Sequence, residues 1–326
     1  MGLFDLFKSK SNTESQTTEE KKKEPKVSFE VLRDDGVRAM KMGEVSFAAK
    51  CFAAALDMKD DLTTLSYLAE AQIRLQDYKQ ARPSLEKLVA KAPDNLTLQL
   101  LLARTQGHLQ DYEAMKATSK AALALDNESA DAMYYSADAA FHLGDPFNAI
   151  ALLTQTLQKH EDFAEARSLR AKVLMGMAQM QEALEDTSKL AKDNPENEEY
   201  LAQHATVLAA LDKDEEAIKT LQNLRAYNPF NREAVVQLCG IFEKTAQHDK
   251  SLSLLDEAID LQPDFALAYK IRGGIKLHLN DKEGAAADLK KSLEISPELA
   301  KQVDGEFSTL ENQLNDRYRS MNPYQF

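Results

Sequence analysis

The sequence predicts an all-α fold built from stacked pairs of antiparallel helices. One observation is a 34-residue unit that repeats, visible in three similar segments whose final prolines are Pro229, Pro263 and Pro297. A second is that small residues recur at two fixed positions of this unit. The composition agrees, since 44% of the 326 residues are hydrophobic and only 7% are aromatic. That balance is typical of a helix-rich globular chain and excludes a collagen, a disulfide miniprotein or a wholly disordered protein.

The repeating window begins at residue 62 and recurs without an insertion at 96, 130, 164, 198, 232 and 266. A further copy, residues 29–61, is one residue short of that register. The twentieth window position is small in seven of eight copies, the exception being Met115. The eighth position is small in every copy: Gly36, Ala69, Ala103, Ala137, Ala171, Ala205, Cys239 and Gly273. Because small side chains let two helices approach closely, each window is predicted to be one helix pair.

The elements of one window follow in order. Apolar residues recur at helical spacing within each half, as in Ala217, Leu221 and Leu224. Short polar turns such as residues 211–214 separate the halves, and a proline near the window's end suits a helix boundary. Pro83 lies inside the second helix of its window, so we expect a kink or a late helix start there.

The two ends of the chain differ from the repeats. Residues 11–26 contain no large apolar residue, which predicts disorder. After residue 299 the repeat stops, and a helix with one apolar stripe is expected to cap the last pair. That stripe consists of Val303, Phe307, Leu310, Leu314 and Tyr318. We therefore expect a tail over residues 1–28, eight helix pairs over 29–299, and a capping helix with a loose C-terminus over 300–326.

With these features, residues 29–299 resemble the tetratricopeptide repeat family. That family has small residues at these two positions, a terminal proline and a Gly-Asp-Tyr-like turn. The turn is visible here as Gln76-Asp77-Tyr78, Gln110-Asp111-Tyr112 and Gly144-Asp145-Pro146. The family's aromatic residue near the window's start is absent except for Tyr269. The resemblance implies a right-handed α-solenoid whose first helices line a concave groove that captures peptides or helices.

The resemblance also implies which side chains face the groove, namely those at window positions 2, 5, 9, 12 and 13. In the central repeats these include Leu100, Arg104, His108, Asp131, Tyr134, Asp138, Phe141, His142, Lys172 and Met175. Aromatic and basic anchors of this kind carry peptide interfaces. The alternative is that Tyr134 and Phe141 pack between neighbouring repeats. The family's clamp for acidic chaperone tails is not found, since Lys270 has Gly274 where an Asn is required.

Catalytic patterns are not found in the sequence. None of the six histidines stands in a two-His motif with a carboxylate, and no phosphate-binding glycine loop, nucleophile elbow or Cys-x-x-Cys occurs. His108 and His142 share a window position, but two histidines leave a metal half-ligated. Cys51 and Cys239 are interpreted as structural thiols in a reducing compartment. We therefore expect no enzyme activity, cofactor or metal.

Charge and hydropathy restrict the partners. The net charge of −13 argues against nucleic acid, because phosphate binding needs a positive field. No signal peptide or span of ~20 apolar residues occurs, which favours the cytoplasm. The expected function is a non-catalytic protein-binding scaffold or adaptor. The alternative is a peripheral membrane assembly factor recruited through residues 1–10. In that segment Leu3, Phe4, Leu6 and Phe7 share one face if it is helical.

Overall fold

The computed structural model describes residues 28–302, with side chains for residues 28–299. The predicted disordered tail before Ser28 and the apolar stripe that begins at Val303 lie outside the described residues. Within them the chain forms sixteen α-helices, one short 3₁₀ helix and no strand. The predicted all-α fold of helix pairs is confirmed.

Each window contains one first helix and one second helix. The first helices are α1 (Phe29–Lys41), α3 (Leu62–Arg74), α5 (Leu96–His108), α7 (Ala130–His142), α9 (Ala164–Gly176), α11 (Glu198–Ala210), α13 (Arg232–Lys244) and α15 (Ala266–His278). The second helices are α2 (Val45–Met58), α4 (Tyr78–Lys91), α6 (Tyr112–Leu125), α8 (Pro146–Lys159), α10 (Met180–Asp193), α12 (Asp214–Tyr227), α14 (His248–Leu261) and α16 (Lys282–Ile295). From α3 onward both series recur at the predicted interval of 34 residues, and α1 begins one residue short of that register. The 3₁₀ helix Pro297–Gln302 follows α16.

The chain divides into two units, residues 1–84 and residues 85–326, and the division falls within α4. The expected late start of α4 is wrong, because the helix begins at Tyr78 and continues through Pro83. The first turn of α4, which precedes Pro83, is stabilised by a cap in which the Gln80 amide donates to the Asp77 carboxylate at 3.2 Å. The proposed groove residues all lie in the second unit.

The small residues have the predicted packing role. In the first unit, a Cβ on Gly36 would lie 2.5 Å from the Phe52 ring, so α1 and α2 approach too closely for any larger residue. In the second unit, Ala103, Ala137 and Ala149 are fully buried. The exception, Met115, is compensated by a glycine, because a Cβ on Gly107 would lie 3.2 Å from its sulfur.

The turn within each pair has one left-handed residue. Glycine occupies this position only at Gly43 and Gly144. Six other residues hold φ between 54° and 65° there: Gln76, Gln110, Ala178, Asp212, Ala246 and Asn280. The next amide returns to a carbonyl five residues earlier, as from Asp145 to Ala140 at 2.9 Å, which closes the first helix. The Asp145 side chain then caps α8 by accepting from the Asn148 amide. The Gly-Asp turn therefore ends one helix and starts the next.

Two buried aspartates on second helices form ion pairs with arginines of the preceding first helix. On α10, Asp186 is 1% exposed and accepts from Arg167 at 3.2 Å and from Arg170 at 2.7 Å, both on α9. In the last window the positions of Arg170 and Asp186 are occupied by Arg272 of α15 and Asp288 of α16, which pair at 2.6 Å. Charged side chains of these helices are therefore not confined to the solvated surface.

Candidate functional site

The eight predicted site residues lie on three consecutive first helices of the second unit. Helix α5 approaches α7 directly, and α7 approaches α9. Arg104 and His108 are on α5, and Lys172 and Met175 are on α9. The remaining four, all on α7, are Tyr134, Asp138, Phe141 and His142. The side chains of His108, His142 and Lys172 are exposed, whereas the other five are half-buried. We refer to these eight residues as the α5–α7–α9 face.

Aromatic packing joins this face to the following repeat. The Tyr134 ring lies 5.6 Å from Phe163, just before α9, and meets Tyr135 edge-on at 5.4 Å. Phe141 packs against the buried cluster that includes Leu169 of α9. These contacts support the alternative that Tyr134 and Phe141 pack between repeats. Each nevertheless keeps part of its ring surface exposed, so their contact with a partner stays a prediction.

Burial changes the ionisation of the tyrosines. Burial, reinforced by the negative charge of Asp138, raises the pKa of Tyr134 well above its ordinary value. Burial likewise raises the pKa of Tyr135 to about 12. A tyrosine phenol is already neutral at physiological pH, and the raised pKa keeps both phenols protonated in alkaline solution as well, so they stay hydrogen-bond donors.

Asp138 provides a half-buried carboxylate on the face. Its side chain is 21% exposed, and its Oδ1 lies 3.5 Å from Nε2 of His142, one turn later on α7. Burial raises the pKa of Asp138, and the nearby His142 and Lys172 oppose that increase only in part. The structure therefore holds this carboxylate in surroundings that disfavour its charge.

The two histidines have different neighbours. The His142 ring stacks on Tyr112 of α6, with centroids 4.1 Å apart and planes at 10°. Burial lowers the pKa of His108, and the positive charge of Arg104 lowers it further. Among residues 28–299, no group of three or more His, Cys, Asp or Glu side chains lies close enough to hold a metal ion.

The α9 members connect the face to later repeats. Lys172 Nζ donates to Glu199 Oε1 of α11 at 2.8 Å. Met175 packs against the buried cluster that contains Leu174. Sequence reasoning missed Tyr112, because it lies on a second helix, and Phe163, because it lies in a turn. The only sequence signal for Tyr112 is its place in the Gln-Asp-Tyr turn.

Comparisons with known proteins agree with the repeat fold. Tetratricopeptide repeat models match residues 64–95, 131–162 and 242–300. A solved tetratricopeptide repeat protein from Parabacteroides merdae ATCC 43184 is similar, with a TM-score of 0.56 at 18% identity over 72% of this chain and 93% of that one. A chain of the APC/C hetero-tetramer Cut9-Hcn1 gives a TM-score of 0.55 at 14% identity, over 84% of this chain and 52% of that one. At these identities the likeness shows the fold alone.

No curated protein matches the sequence. Among the helices of residues 28–302, none combines the length and the apolar character that a bilayer span requires.

Proposed function

The chain is a tetratricopeptide repeat protein, and we propose that it acts as a non-catalytic scaffold or adaptor. In this proposal the α5–α7–α9 face holds a peptide or a helix of a partner protein. One observation carries the proposal. Three adjacent first helices present aromatic, basic and acidic side chains together, with the half-buried Tyr134 and Asp138 at the centre and the exposed Lys172 beside them. Proteins with this fold generally mediate protein–protein interaction.

The energetics favour Tyr134 as the main anchor. Its ring packs against the rings of both Tyr135 and Phe163. A side chain that is already ordered loses little rotamer freedom when a partner binds, so more of the contact energy appears as affinity. Partly buried aromatic residues at the centre of a surface are the usual hot spots of peptide recognition.

The test is selection of peptides from a random display library by the full chain. We expect wild-type protein to enrich a set of related peptides, and Tyr134→Ala to weaken their binding roughly 30-fold, the effect of losing an anchor worth ~2 kcal/mol. Fluorescence anisotropy with synthetic copies of the enriched peptides measures this loss.

Phe147→Ala is the matched control. Phe147 lies on the second helix α8 and is 74% exposed, so its truncation should leave affinity unchanged. Circular dichroism confirms that each variant stays helical at the assay temperature. Equal losses for both variants, or no enriched peptide with wild type, would show that this face is not the binding surface.

A further inference from the structure

We propose that Asp138 receives a cationic side chain, so that the partner segment held by the α5–α7–α9 face carries a lysine or an arginine at this point. The inference rests on the proposed function and specifies the chemistry of the partner. The class of partner is a basic segment with apolar neighbours, since the surface around the carboxylate is aromatic.

The Asp138 carboxylate has no strong counterion of its own. Among the described residues no side chain or amide donates a hydrogen bond to it, and its only ionic neighbour is His142 at 3.5 Å. Lys172 is close enough to act on it electrostatically, but its ammonium group donates to Glu199 at 2.8 Å instead. A carboxylate that is 21% exposed has lost much of its water, and a histidine 3.5 Å away replaces those hydrogen bonds only in part. A partner's ammonium or guanidinium group would supply the missing donors.

The surroundings of Asp138 suit a cation with an alkyl stem. Tyr112 and Tyr134 both lie within the electrostatic influence of this carboxylate, and Tyr112 is stacked on His142. A cation near the face of an aromatic ring is stabilised by about 0.5–2 kcal/mol. The alkyl stem of a lysine or an arginine can pack along such rings while its head reaches the carboxylate.

Further acids on α7, α9 and the neighbouring first helix α11 favour a cation. Asp131, Glu165 and Glu199 each occupy the second position of their helix, and all three are exposed. Acids near helix N-termini also stabilise the helix, so this row carries no weight alone. It does place negative charge around Tyr134 and Tyr135, next to Asp138. Lys172 and Glu199 pair with each other, and Asp131, Asp138 and Glu165 outnumber Arg104, the remaining cation near Tyr135. The net field over this part of the face therefore attracts basic segments.

If Asp138 had a purely structural role, its replacement would lower the melting temperature; its surroundings predict the opposite. Burial raises its pKa, so the folded state holds its proton more tightly than the unfolded chain does. Stability is then lost as the pH rises through the folded-state pKa, and at pH 7 the ionised carboxylate lowers stability. Asp138→Asn should therefore leave the melting temperature at pH 7 unchanged or raise it. A group that costs stability, and whose one ion-pair neighbour within the chain is a histidine 3.5 Å away, is typical of a binding site.

The experiment compares full-length wild type with Asp138→Asn and Asp138→Lys against the same random peptide library. We expect wild-type peptides to share a lysine or an arginine at one aligned position. Asp138→Asn should lose that preference, and Asp138→Lys should select aspartate or glutamate there. With a synthetic copy of the best peptide, replacing the shared basic residue by norleucine should weaken binding to wild type by about tenfold or more. The same replacement should change binding to Asp138→Asn less than about twofold.

Asp260→Asn is the matched control, because Asp260 is an exposed aspartate on the second helix α14. It should retain the wild-type preference. Enriched peptides without a shared basic residue, a preference that survives Asp138→Asn, or a clear drop in the melting temperature of that variant would overturn this inference. Each of these results leaves the scaffold proposal standing. If wild type and all variants enrich nothing, the scaffold proposal itself fails.

Discussion

At the scale of single residues, the turns within the helix pairs contain backbone strain, because six of them place a residue other than glycine in the left-handed conformation. A left-handed conformation costs an L-residue roughly 1–2 kcal/mol, and Ala178 adopts it with φ of 58° and an exposed side chain. Ala178→Gly should raise the free energy of unfolding by about 0.5–1 kcal/mol, since glycine removes the strain but adds freedom to the unfolded chain. Urea denaturation measures the change. Gly43→Ala is the converse variant, because a Cβ there has nothing within 4 Å and would feel only the backbone, with φ of 78°. A stabilised Gly43→Ala or a destabilised Ala178→Gly would contradict this account.

At the scale of helices, the buried ion pairs of Asp186 with Arg167 and Arg170 should contribute strongly to the stability of the helix pair α9–α10. Asp186→Asn leaves Arg167 and Arg170 without their counterion, and Arg167 is only 9% exposed. Breaking a buried pair by removing one partner costs about 3–5 kcal/mol, and we expect a loss of that size in the free energy of unfolding. Asp193→Asn on the same helix is the control, since Asp193 is half exposed and 3.7 Å from Lys189. That variant should lose less than about 1 kcal/mol. Equal effects in chemical denaturation would mean that the buried pair has no special role.

These helices also show where sequence reasoning succeeds and where it fails. Helix starts recur every 34 residues because small side chains such as Ala137 and Ala149 are required wherever two helices touch, and that requirement is periodic. The buried pairing of Arg170 with Asp186 could not be predicted from the repeat, since a periodic pattern of apolar residues places charged residues on the solvated side of a helix. The position of the eight candidate residues on first helices was predictable from the family resemblance. The contact of Tyr134 with Phe163 was not, because Phe163 lies at the end of the same window, in the turn before α9, where no helical spacing relates it to Tyr134.

At the scale of the whole molecule, charge distinguishes the scaffold proposal from the membrane alternative. Residues 1–28 contain six lysines and five acids, whereas residues 29–326 have a net charge of −14. Each lysine near an anionic lipid surface contributes about 1 kcal/mol of attraction, but the acids of the same chain are repelled. The scaffold proposal predicts that the full chain stays in the unbound fraction when it is floated with phosphatidylserine-containing liposomes at about 150 mM salt, where charges interact over roughly 8 Å. Uncharged liposomes are the control for purely apolar insertion. If instead the chain floats with anionic liposomes, and Phe4→Ser with Phe7→Ser abolishes flotation, the membrane alternative replaces the soluble adaptor.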